Sequence, residues 1–418
     1  MEKFILFLFV ILKFIEYFVE KYLLMLNRRY YLNPDNQKRC KQILNISDED
    51  FEKTLNYTED NYKFVKFSKW INITVFMIFL ISGGFGYLEQ AAIWIASYFN
   101  NNDIIIGIVV FIILGAISFI YSIPFELYDD FVIENKYGFN TKTIKIFIID
   151  KLKSLLISII LGVPLISLIL WIMQVSGNYW WILAWLVVVI INILMLWIYP
   201  AILAPLFNKF EPLSDEHLKQ SIYELANKIN FKIDNIFVMD ASKRSTHGNA
   251  YFTGISSKKR IVLFDTLLKS LSLQELLAVI AHELGHFKLH HIKTHIIINI
   301  LLTGVAFYLL SIFLHQEIFY LAFKFKGVSN YAALIVFFLW FNIFNMILMP
   351  IINHLARTQE FNADKFAIEL TKSHDYLYTA LLKLREQNHS MPIAHPLYST
   401  VYYSHPPLLQ RLYRIKNL

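Results

Sequence analysis

Leu276-Leu277-Ala278-Val279-Ile280-Ala281-His282-Glu283-Leu284-Gly285-His286 is an apolar run that ends in H-E-x-x-H. Wound as an α-helix, it sets His282 and His286 one turn apart on one face, because residues four apart are neighbours on a helix surface. Two imidazoles so placed can hold one zinc ion, with Glu283 beside them as general base. The bland alternative is a pair of satisfied histidines on an ordinary helix. It loses ground once a third ligand is found in the same chain.

Around this motif the chain is greasy. Its 418 residues would suffice for two or three soluble domains, but 56% are hydrophobic, only 17% are charged and the mean hydropathy is +0.46. That is the balance of a chain whose solvent is largely lipid. A single cysteine, Cys40, excludes an internal disulfide framework and a zinc site built from thiolates. The net charge of +7 does not point to nucleic acid, since the basic residues follow membrane topology instead.

Apolar stretches of spanning length recur at Phe4–Leu26, Trp70–Leu88, Ile104–Ile123, Leu155–Met173, Trp180–Leu203, Ile296–Leu314 and Ala332–Ile352. The first is read as an uncleaved membrane helix, because no small-residue cleavage site follows it. It carries Lys13, Glu16, Glu20 and Lys21, which must face a polar interior or an interface. The gaps after spans one, three and five and the tail hold 9, 5, 12 and 8 Lys and Arg residues, against 0, 0 and 2 after spans two, four and six. The positive-inside rule then puts the N-terminus outside, and the metal motif and C-terminus in the cytosol.

The expected fold is therefore mainly α: a polytopic membrane protein of about seven transmembrane helices with a small cytosolic α/β metalloprotease domain. Residues 1–203 hold helices one to five, 204–295 the insert with the motif, 296–356 helices six and seven, and 357–418 a helical tail. Within the insert, Ser214–Ile229 has helical periodicity, Asn235–Met239 and Arg260–Phe264 read as strands, and Leu273–His290 is the motif helix.

Catalytic zinc takes three protein ligands and a water. Glu360-Phe361-Asn362-Ala363-Asp364 offers two carboxylates one turn apart, directly after the last span. Glu360 would bind the ion and Asp364 would accept the free N–H of a ligand histidine. The alternative is a solvated acidic face. His405, followed by Pro406-Pro407, could donate to a developing oxyanion, or could simply cap the last helix. His290, His291 and His295 are read as interfacial, where the motif helix enters its next span.

With these residues in view, the chain resembles the type I CAAX prenyl proteases, the Ste24-like zinc metallopeptidases of family M48. The likeness extends along nearly the whole chain. It includes Phe131–Asn140, Tyr199-Pro200 with Ala204–Phe210, Ser242–Ser245, His247–Phe252, Arg260–Leu268, His282–His286, Glu360–Asp364 and Ser404–Arg411. The resemblance implies seven helices around a water-filled chamber, with one Zn2+ per chain at its cytosolic end. It implies His282, His286 and Glu360 as ligands, Glu283 as base and His405 as transition-state donor, supported by Asp364 and Arg411. It also implies that Asn249-Ala250-Tyr251-Phe252 is a strand edge aligning an extended peptide. The expected activity is removal of the C-terminal tripeptide from prenylated CAAX proteins. The membrane would be the endoplasmic reticulum in a eukaryote or the inner membrane in a bacterium. A quality-control protease of the same chemistry is the runner-up. A transporter or channel with structural zinc ranks last, because a structural site usually closes four protein ligands.

Overall fold

The computed structural model describes residues 1–99, 102–253 and 260–418. Among them six helices have the length and composition to cross a bilayer: Asp48–Ile81, Asp103–Glu134, Ile144–Val175, Gly177–Phe207, His291–Phe313 and Asn330–Thr371. Large apolar side chains stand on their outer faces; Ile81, Ile120 and Ile351 are 66–68% exposed. In water such a surface would be an aggregation liability, and in lipid it is solvated. The N-terminal helix Glu2–Leu32 has the length of a span, 31 residues, but not the composition. Three of its charges are paired: Lys13 Nζ lies 2.7 Å from Glu16, and Glu20 lies 2.7 Å from Lys69 Nζ of the helix Asp48–Ile81. The charged stripe thus meets partners within the bundle.

Two spans differ from the hydropathy reading. Trp70–Leu88 is not one helix: Asp48–Ile81 ends at Ser82, and Gly84–Ala96 starts after Gly83, whose φ is +82°. Hydropathy sums through Ser82-Gly83-Gly84, but a positive φ turns the chain there, and glycine adopts it without strain. The last span does not stop near Ile352. One 42-residue helix, Asn330–Thr371, runs through the expected domain boundary at 356/357. Glu360 and Asp364 therefore sit on the same rod as the last span.

The insert contains a four-stranded sheet of β1 (Phe210–Pro212), β2 (Asn235–Met239), β3 (Ala250–Thr253) and β4 (Arg260–Phe264), in the order β1-β2-β4-β3. β2 and β4 run parallel, with Ile236 beside Ile261, while β1 on β2 and β3 on β4 are antiparallel. β3 is an edge strand, paired on one side only among the described residues. Helix Glu216–Asn227, capped by the Asp215 side chain accepting from Leu218 N–H at 2.9 Å, packs over the sheet.

The motif helix Leu273–Lys288 buries Leu276, Ile280 and Leu284 in the same core as Ile222, Ile261 and Leu263. Each such side chain is worth about 1.5–3 kcal/mol. Glu275 holds its start: one carboxylate oxygen accepts from the Ser272 backbone N–H and hydroxyl, both at 2.8 Å, and from Lys383 at 2.7 Å. Burial pushes that carboxyl up, but the bonds from Lys383 and Ser272 outweigh it and hold it at about 2. At its other end Gly285 lets the motif helix lie against Asn330–Thr371; a Cβ there would sit 3.2 Å from Ala363 Cα.

The insert is tied to the loops of the membrane part. Arg244 bonds Asp150 at 2.8 and 3.0 Å and Asn208 at 3.1 Å. Thr246 N–H donates to Phe139 O at 3.1 Å. Buried Arg385 of the tail reaches Asp50, and Thr54 at 2.7 Å. The segments after the first, third and fifth spans and the tail thus share one side.

Candidate active site

His282 and His286 leave the motif helix toward Glu360 on the long helix. Their Nε2 atoms lie 3.2 Å apart. His286 Nε2 is 3.2 Å from Glu360 Oε1, and His282 Nε2 is 3.5 Å from Glu360 Oε2. Two donors each bound at 2.0–2.1 Å to one tetrahedral ion are separated by about 3.3 Å, so this triangle has the size a zinc-like ion requires. Glu360 Oε2 is also buried without a hydrogen-bond partner. A cation among these three groups would satisfy it.

A second layer holds the first. His282 Nδ1 lies 2.9 Å from Asp364 Oδ1. Arg411 grips Asp364 with two bonds, Nη2 to Oδ1 at 2.6 Å and Nε to Oδ2 at 2.9 Å. A carboxylate this close to Nδ1 draws the ring proton to that side, which leaves Nε2 of His282 to present its lone pair inward. Glu283 is partly buried beside the ligands. Burial pushes its carboxyl above the usual range, against the lowering pull of His282 and His286.

His405 Nε2 lies 3.4 Å from Glu360 Oε1, and its Nδ1 is 3.0 Å from Ser404 Oγ. It does not cap the last helix, Leu408–Lys416, whose N-cap is Pro407 with no side-chain cap bond. Arg357 positions this turn by donating to the carbonyls of Ser399 at 2.8 Å and Tyr403 at 2.6 Å.

These groups line a cavity of about 120 Å³ whose wall includes Gly248, Asn249, Ala250, His282, Glu283, Glu360, His405 and Arg411. The start of the edge strand therefore borders the site. Tyr251 and Phe252 do not line it. Phe252 packs against Phe231 and Phe287, with ring centres 6.0 and 5.5 Å away, and Tyr251 against Phe264 at 6.3 Å.

Three neighbours went unread in the sequence. His291, read only as interfacial, is 6% exposed and turns its ring inward, with Nδ1 3.1 Å from His286 Nδ1. His290, at φ +61°, breaks the helix and folds His291 back. An unbroken helix would have carried it away, so periodicity gave no sign of the contact. Arg357, one turn before Glu360, holds the turn that carries His405 through backbone carbonyls, which leaves no trace in a sequence pattern. His247, at the base of the edge strand, bonds Glu134 at 3.1 Å through Nε2 and Asn388 at 3.0 Å through Nδ1, and stacks on Phe139 at 4.3 Å. The Glu134 bond raises its pKa and burial opposes this. The signal available for it was its place just before Gly248-Asn249-Ala250.

Comparison with known proteins bears on the same segments. Residues 34–209 match the model of the CAAX prenyl protease N-terminal region with five membrane helices, and residues 212–418 match that of peptidase family M48. The chain is 34% identical to the CAAX prenyl protease 1 homolog of Mus musculus, over 96% of this chain and 93% of the relative. It is 35% identical to CAAX prenyl protease 1 of Saccharomyces cerevisiae, over 88% of this chain and 86% of the relative. The crystal structure of S. mikatae Ste24p superposes with a TM-score of 0.91 at 33% identity, covering 99% of both chains. With a buried donor triangle beside a helix-borne carboxylate, and with both halves matched, the chain belongs to peptidase family M48 and is an integral-membrane metallopeptidase.

Proposed function

We propose that the chain is a zinc endopeptidase that removes the C-terminal tripeptide from prenylated CAAX proteins, with its catalytic side in the cytosol. The carrying observation is a small cavity where His282 and Glu360, completed as a donor triangle by His286, meet Glu283, His405 and the start of an edge strand. The proteins it resembles carry CAAX prenyl protease in their names, which supports the choice of substrate. The paired charges of the first helix support a seventh span lining an aqueous interior.

His282, His286 and Glu360 would hold the ion, an oxygen-and-imidazole set that suits zinc. Bound there, zinc acidifies water and polarises a carbonyl. Glu283 takes a proton from the attacking water and returns it to the leaving amine. His405, its Nδ1 engaged by Ser404, directs Nε2 to the cavity and donates to the oxyanion as the carbonyl becomes tetrahedral. Arg411 and Asp364 fix the tautomer of His282. The edge of β3 that is unpaired among the described residues pairs with an extended peptide and presents one bond to the site. An isoprenoid adds binding through its hydrocarbon, about 0.8 kcal/mol per buried methylene, without entering the chemistry.

The test is a matched pair of peptides, farnesylated and bare, given to the purified full chain with and without a zinc chelator. Chelator-sensitive release of the tripeptide after the cysteine, faster for the farnesylated member, is expected. Cleavage of unfolded membrane proteins at many sites, with neither peptide cut at the cysteine, would replace this reading with quality control.

A further inference from the structure

We propose that His291 is a positioning residue for the metal: a neutral imidazole that accepts the Nδ1 proton of His286 and so fixes the tautomer and aim of that ligand. The inference rests on the ligand reading above and extends it. His282 has its own partner in Asp364, 2.9 Å from Nδ1. Among the described residues no carboxylate stands on that side of His286; His291 Nδ1 stands there at 3.1 Å, with the rings at 76° and the centres 5.0 Å apart.

Two ring nitrogens at this distance must be one donor and one acceptor. When Nε2 of His286 offers its lone pair to an ion, its proton sits on Nδ1, so His286 donates. His291 must then accept at Nδ1 and carry its own proton on Nε2. The backbone is built for the contact. The motif helix ends at Lys288, His290 takes φ +61° and ψ +25°, and the next helix begins with His291. Residues five apart on a continuous helix are about 140° apart around the axis, and this break brings them face to face. His295, one turn on, bonds Gln359 at 2.7 Å, which ties the same helix to the residue before Glu360. The two ligand histidines thus have unequal supports, a carboxylate held by Arg411 for His282 and a neutral ring for His286. The His286 arm is the weaker anchor.

The experiment measures zinc affinity of the full chain in detergent by competition with a chelator, and the absorption spectrum of the cobalt-substituted protein. His291→Ala should bind zinc 10- to 100-fold more weakly. His291→Asn, whose amide oxygen reaches about where Nδ1 stood, should recover most of that loss and the wild-type cobalt spectrum. His290→Gly, which keeps the turn and removes the neighbouring ring, should leave affinity unchanged. Wild-type affinity in His291→Ala overturns the proposal, and so does an equal loss in the Ala and Asn variants, which would mark simple packing. If His291→Ala does not fold, the Asn variant still decides: near wild-type affinity and spectrum support acceptance at Nδ1, and a large loss of zinc refutes it. His286→Ala separates the two readings. If it strips zinc while His291→Ala does not, only this inference fails; if it keeps zinc, the ligand assignment fails.

Discussion

Glu283 and Glu360 are two carboxylates beside one pair of imidazoles, and position alone divides their work. Glu360 lies between the two Nε2 atoms, with one oxygen that makes no hydrogen bond. Glu283 follows His282 on the helix and lines the cavity. Glu283→Gln should keep about one zinc per chain and lose turnover on the order of a hundredfold or more. Glu360→Ala should lose the zinc itself. His405→Ala should keep zinc and slow turnover by about 10²–10³ if its N–H meets the oxyanion. Metal analysis beside peptide turnover separates the three; undiminished turnover in Glu283→Gln would place the base elsewhere. The ligand triangle was legible because His282 and His286 are local to one helix and Glu360 with Asp364 to another, so helical spacing alone suggested each pair. The support of His286 was not legible, because it depends on one residue, His290, in a left-handed conformation that hydropathy does not register.

At the scale of elements, the site is made by two helices lying close. The motif helix and Asn330–Thr371 approach at Gly285, where a Cβ would meet Ala363 and Phe366 at 3.2 Å. The glycine of the motif thus sets the spacing of the triangle. Gly285→Leu has no room, and overpacking of this kind costs about 1–3 kcal/mol. It should push the histidines off Glu360, lowering both the unfolding temperature and the zinc bound after dialysis. Full zinc with an unchanged unfolding temperature would mean that the close approach does not set the triangle. Strands β2 and β4 and the motif helix were readable because each satisfies a strong local period. Strand β1, three residues long, gave no period, and the 82–84 break was hidden inside an apolar sum. The continuity of Asn330–Thr371 was hidden by composition. Its character changes from apolar to polar at the membrane face, and the helix does not.

At the scale of the molecule, the insert is clamped to the membrane part at His247. The Glu134 carboxylate that binds it also accepts from Tyr57 at 2.6 Å, and Asn388 of the tail holds the other ring nitrogen. The folded state raises the pKa of His247 above its ordinary value near 6.5. Its contribution is therefore full below about pH 6.5 and is lost as pH rises through the raised value. The unfolding-temperature gap between the wild type and Glu134→Gln should be widest near pH 6 and close toward pH 9. A gap that stays constant would remove the imidazolium from the account.

The same clamps bear on orientation. Glu134 with His247, Asp150 with Arg244 and Asp50 with Arg385 join the segments after the third and first spans to the insert and the tail. These segments must lie on one side, and they carry the excess of Lys and Arg: 9, 5, 12 and 8 against 0, 0 and 2. Positive charge is retained on the cytosolic side of a membrane, so the site should face the cytosol and the helix Gly84–Ala96 should end outside. Single cysteines can read this in a Cys40→Ser background, where the native thiol is buried in any case. The loop positions Ser257 and Asn101 lie outside the described residues, whereas Ser214 and Ser97 are described and exposed. In sealed vesicles of known sidedness, an impermeant thiol reagent added to the outer face should label Ser97→Cys and spare Ser214→Cys until detergent opens the membrane. The reverse pattern would invert the molecule. Labelling of both before detergent would mean that Ser214 and Ser97 share the outer face and that an odd number of crossings does not separate them.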